Sequence, residues 1–116
     1  MTTYTPTLPV AFVVKLVAKE EKADELGAFL GGALSLANDE AGTIVWFALR
    51  TDVTTFWIVD AFGSQADRQA HIEGPIAAAL MANADRLLAA APEILPADVL
   101  AAKVPATPSL AEVGNA

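Results

Sequence analysis

The sequence predicts one small α+β domain: a four-stranded antiparallel sheet with helices on one face and an apolar second face that needs a cover. Three observations carry this. The elements read in the order βαββααβ. The strands are apolar on both sides instead of alternating with polar residues. And 54% of the 116 residues are hydrophobic, with a mean hydropathy of +0.45, although no apolar run approaches the roughly 20 residues of a membrane span.

Residues 4–9, with two prolines, read as the end of an extended arm over 1–9. The β-branched run Val10–Val17 is strand one. Acids over 20–25 sit where a helix N-terminus favours them. Leu26, Phe29, Leu30, Ala33, Leu34 and Ala37 then follow as one apolar helical stripe. Gly27, Gly31 and Gly32 weaken that helix, and predict either close packing on the sheet, the preferred reading, or a kink. Gly42 is suited to a positive φ at the helix end. Strands two and three, Thr43–Arg50 and 54–62, form a hairpin. Ser64 caps a short polar helix over 65–73, and Pro75 opens a third helix that ends near Pro92. Residues 98–104 read as strand four, closing a domain over 10–104, with a tail over 105–116. The tail's Leu110 and Val113 are expected to dock on the body or on a partner subunit.

This is a ferredoxin-like, split-βαβ plan. Strand two sets Ile44, Trp46 and Ala48 against Val45, Phe47 and Leu49, so neither face is polar. Helices cover one face only, and a second copy is the expected cover for the other. A homodimer follows. Seven basic against fourteen acidic residues give a net charge of −7, which disfavours nucleic acid as a partner. The absence of cysteine removes disulfides, thiolate nucleophiles and cysteine zinc sites. With no targeting segment or membrane span in view, the expected location is cytoplasmic.

Chemistry has few places to sit. His71 is the only histidine, a candidate acid–base group in a pocket or an exposed or hydrogen-bonded helix residue. Asp60 shares a strand face with Ile58 and Phe62, so it is a perturbed pocket carboxylate, an orienter for His71, a partner of Arg68 or Arg86, or a residue at the sheet's rim. Trp46, Phe47, Phe56, Trp57 and Phe62 gather on two strands, as core, interface or the lining of a site for a flat aromatic ligand. The pairs Asp24-Glu25 and Asp39-Glu40 read as solvated helix-end residues, not metal ligands. The pair Gly31-Gly32 lacks the strand-to-helix setting of a phosphate loop.

Taken together, Asn38-Asp39-Glu40-Ala41-Gly42-Thr43, TIVWFALRTD and FWIVDAFGSQADRQAHIEGPI resemble the antibiotic-biosynthesis monooxygenase (quinol monooxygenase-like) family over residues 10–104. Glu40 and Gly42, the strand-two aromatic Trp46, Ala70-His71 and Pro75 match its pattern, while Asp60-x-Phe62 stands where Glu-x-Trp is usual. The resemblance implies a dimeric α+β barrel with a pocket between sheet and helices in each subunit. It also implies oxidation of a quinol, phenol or anthrone-type substrate by O2, with no cofactor, metal or flavin. On that reading His71 or Asp60 is the base, and Trp46, Ile58 and Phe62 form the substrate-binding walls. The haem-degrading branch fits poorly, because Phe12, Val13 and Val14 occupy strand one and no second histidine exists. The competing class is a non-catalytic ligand-binding or interaction dimer.

Overall fold

The computed structural model describes residues 8–104. The expected docking of Leu110 and Val113 lies outside the described residues. Strands β1 (Val10–Val17), β2 (Thr43–Arg50), β3 (Thr55–Phe62) and β4 (Glu93–Asp98) form one sheet in the order β2-β3-β1-β4. Every neighbouring pair is antiparallel, so the fold is the ferredoxin-like α+β plan. Helices α1 (Ala23–Gly32), α2 (Leu34–Asn38), α3 (Gln65–Ile72) and α4 (Pro75–Leu87) fill the two crossovers. No described helix is long and apolar enough to cross a membrane.

The period-two rule sorts the strands. Val10, Phe12, Val14 and Leu16 of β1 face the helices beside Phe56, Ile58 and Phe62 of β3, and this set with Leu26, Leu30, Leu80 and Leu87 is the core. The intervening residues point to the other face, where Phe47, Leu49 and Leu95 are exposed. The five clustered aromatics therefore divide: Phe56 and Phe62 are buried in the core with Trp46 partly buried against it, whereas Phe47 and Trp57 lie on the open side.

Four sequence expectations need correction. β4 is Glu93–Asp98, not 98–104. Its register sets Glu93 opposite Lys15 and Asp98 opposite Val10, so the strand is used up where β1 begins. Pro96 belongs to it because β4 is an edge strand and one proline N–H can be spared there. The first helix is not continuous; it stops at Gly32 and resumes at Leu34. Close packing is not the reason for Gly31 and Gly32, since a Cβ at either would meet nothing within 4 Å. Nor does Gly42 adopt a positive φ. A Cβ there would fall 2.6 Å from the Asp67 carboxyl carbon, so glycine is required by the close approach of α3.

Candidate active site

Three side chains from separate elements meet at one end of the core. Asp60 is placed by β3, whose register sets it between Phe12 of β1 and Trp46 of β2. It is 1% exposed, and its Oδ1 accepts the main-chain N–H of Phe12 at 3.3 Å. His71 comes from α3. Ser64 starts that helix with its hydroxyl accepting the Asp67 N–H at 3.1 Å, and His71 arrives in the last turn facing inward, 7% exposed. Glu40 occupies the turn between α2 and β2. That turn is pinned by the Glu40 N–H donating to the Ala37 carbonyl and the Thr43 N–H donating to the Glu40 carbonyl, each at 3.1 Å.

The imidazole lies between two carboxylates. Its Nδ1 is 2.5 Å from Glu40 Oε1 and its Nε2 is 3.0 Å from Asp60 Oδ2. The Nε2 approach is close but off the hydrogen-bond axis, and Asp60 Oδ2 has no aligned donor. Thr43 adds its hydroxyl, donating to Glu40 Oε1 at 2.7 Å. The Phe62 ring packs against the imidazole with centroids 5.1 Å apart. Burial of the ring opposes its charge, but the close carboxylates of Asp60 and then Glu40 outweigh it, and the His71 pKa stands above the ordinary 6.5.

On the Asp60 side, a cavity of about 30 Å³ separates the sheet from α4, lined by Phe12, Ile58, Asp60, His71, Ile76 and Met81 among others. That volume suits about one water molecule. Its wall is apolar apart from the Asp60–His71 pair, so a donor placed there finds an acceptor only in that pair.

Of the residues marked in the sequence, Asp60, His71 and Ile58 meet at this cavity. Phe62 is fully buried behind the imidazole, and Trp46 does not line the cavity but packs on Ala33, Ala37 and Ile76, its indole N–H unpartnered among the described residues. Asp60 pairs with neither arginine: Arg68 donates to the Ala11 and Ala97 carbonyls, and Arg86 pairs with Glu25. Glu40 is the residue that sequence reasoning passed over. It is not a solvated helix-end acid, its side chain being 17% exposed and held by His71 and Thr43. The matched Glu40-x-Gly42 pattern was the available signal, but no local spacing reports that residues 31 positions apart touch.

The geometry can be set beside known proteins. A solved structure of a protein of unknown function from Nitrosomonas europaea is 50% identical to this chain, covering 87% of it and 98% of its own length, with a TM-score of 0.85. The chain belongs to the same family as that protein. A second Nitrosomonas europaea structure, described as a "Putative antibiotic biosynthesis monooxygenase", is 17% identical with a TM-score of 0.72, covering 84% of this chain and 96% of its own. A protein of the same description from Caulobacter crescentus is 20% identical with a TM-score of 0.69, covering 82% and 93%. The fold is thus that of the antibiotic-biosynthesis monooxygenase-like domains. No protein-family model matches the sequence, and no curated protein does.

Proposed function

We propose that this protein is a cofactor-independent monooxygenase-like enzyme that oxidises a small quinol, phenol or anthrone-type substrate with O2, as a homodimer. The observation that carries the reading is the buried Asp60–His71 pair, 3.0 Å apart, at the polar end of an otherwise apolar cavity. A hydroxylated or acidic C–H substrate in such a cavity gives its proton to His71 Nε2 or Asp60 Oδ2. The resulting electron-rich anion passes an electron to O2 and the two recombine as a peroxide. Loss of the second hydrogen with the outer oxygen leaves a carbonyl and water: SH2 and O2 become S=O and H2O. The apolar wall contributes desolvation of the anion, and the fixed pair contributes orientation.

The cavity's small size, about 30 Å³, favours the second reading, a non-catalytic ligand-binding or interaction dimer. An aromatic ring enters only if the Met81 side of α4 gives way. Oxygen uptake by purified protein across a panel of quinols, phenols and anthrones separates the two. Stoichiometric O2 consumption lost in His71→Ala supports the enzyme, and uptake no faster than the buffer blank across the panel rejects it.

A further inference from the structure

The polar face of the imidazole, opposite the cavity, opens on a groove of about 200 Å³ lined by Glu40, Gly42, Thr43, Asp67 and Gly74 among others. Two hydrogen bonds converge on Glu40 Oε1, one from the Thr43 hydroxyl at 2.7 Å and one along the 2.5 Å line to His71 Nδ1. The 2.5 Å contact is a second hydrogen bond to that oxygen when the ring carries its proton on Nδ1, the tautomer we assign here. The neutral ring then carries its lone pair on Nε2, facing Asp60 and the cavity. Glu40 Oε2 is buried with no partner among the described residues, and a Cβ on Gly74 would sit 3.3 Å from it. Access to the groove is through the Glu40 side chain as a whole, which is 17% exposed and lines it.

We propose that Glu40 is a positioning residue for His71 and the solvent-side end of a proton path, Asp60–His71–Glu40, that joins the cavity to this groove. The proposal rests on the base role given to the Asp60–His71 pair. A substrate proton taken by Nε2 is matched by loss of the Nδ1 proton to Glu40 Oε1, and Glu40 passes it to water in the groove. One proton enters and one leaves; the ring is left as the Nε2–H tautomer. When the departing peroxide oxygen draws that proton from Nε2, Glu40 takes one from the groove and returns one to Nδ1. The cavity need not admit water for either transfer. The titratable groups facing the path are Asp60 on β3, Glu40 in the turn before β2 and Asp67 on α3, which lines the groove.

His71 is the chain's only histidine, so an untagged protein gives a single imidazole signal. Nitrogen NMR reads its tautomer with no substrate present. We expect the neutral ring to carry its proton on Nδ1. In Glu40→Gln the titration midpoint falls and the Nε2–H form gains, because Asp60 is then the only carboxylate beside the ring. A wild-type ring protonated chiefly at Nε2, or a Glu40→Gln ring with unchanged midpoint and tautomer, overturns the proposal. The first result needs no variant to fold. With an oxidised substrate in hand, Glu40→Gln lowers kcat about tenfold or more at unchanged KM, less than the ~10² expected for loss of the base. Formate, small enough for the groove, restores part of the rate in Glu40→Ala. Full rate in Glu40→Gln refutes the path. Failure of every substrate strikes the oxidation reading and leaves the NMR result to decide this one.

Discussion

His71 places opposite pH demands on activity and stability. Its pKa is raised in the fold by Asp60 and Glu40, which overcome the burial that opposes its charge. A group of this kind contributes stability in full below its unfolded value of ~6.5 and loses it as pH rises through the folded value. In the proposed role of base, the same ring works only once that proton has left. We therefore expect kcat/KM to rise with pH through a midpoint above 6.5. Over that window, the stability advantage of wild type over His71→Gln in urea denaturation shrinks. An advantage that grows as pH rises would contradict the ion-paired histidine. His71→Ala and His71→Gln should each lower turnover by ~10² or more, since glutamine keeps polarity but accepts no proton near neutrality. Unchanged rates in both folded variants would transfer the role to Asp60. Gly42 offers a test free of chemistry. A methyl there meets Asp67 at 2.6 Å, so Gly42→Ala should cost about 1–3 kcal/mol in overpacking, read by urea denaturation and relieved in part by adding Asp67→Ala. At this scale the sequence exposed Asp60 because a carboxylate on an apolar strand face is an anomaly in itself. Glu40 was hidden because acids beside a helix end are ordinary, and only the fold brings it to His71.

Strands were the most legible elements, because eight-residue apolar runs with β-branched residues leave little choice of conformation. The bounds of β1 and β2 follow directly from that pattern. Strand four was displaced because EILPAD carries a proline and two acids, which count against a strand unless its edge position is known. Edge position is a property of the sheet, not of the segment. The break between α1 and α2 has the same origin. The apolar stripe runs straight through Gly31 and Gly32, and helical spacing alone gives no reason to stop. Intrinsic propensity decides it, since two adjacent glycines make that turn the weakest part of the run. A residue with open space around it and no positive φ is a place to recover that loss. Gly31→Ala should stabilise the protein by about 0.5–1 kcal/mol, measured by thermal or urea unfolding. Destabilisation would mean that flexibility at Gly31 is needed to turn the chain into α2.

At the scale of the whole molecule, the open sheet face is the unanswered term. Val13, Phe47, Leu49, Trp57, Val59 and Leu95 all project from it, and Phe47 and Leu95 are 55% and 52% exposed. The face is interrupted by little charge, chiefly Lys15 paired in register with Glu93. An antiparallel sheet with a solvated side alternates apolar with polar residues, and this one does not. A contiguous apolar surface of this kind is a site of association, not of hydration. The same chain carries a net charge of −7, which would oppose assembly if the acids lay at the contact. They concentrate elsewhere: Glu20, Glu21, Asp24 and Glu25 flank or begin α1, on the opposite side of the sheet. The cover we propose is a second copy placed sheet to sheet, in a permanent contact of the type that buries at least ~1,600 Å² in total. We expect sedimentation equilibrium to give a dimer at micromolar concentration. Phe47→Asp with Leu95→Asp puts carboxylates into the contact from β2 and β4, and should yield a folded monomer with the helical core intact by circular dichroism. Wild type sedimenting as a monomer at micromolar concentration would refute the dimer. A dimer unaffected by the double substitution would place its contact on some surface other than the sheet.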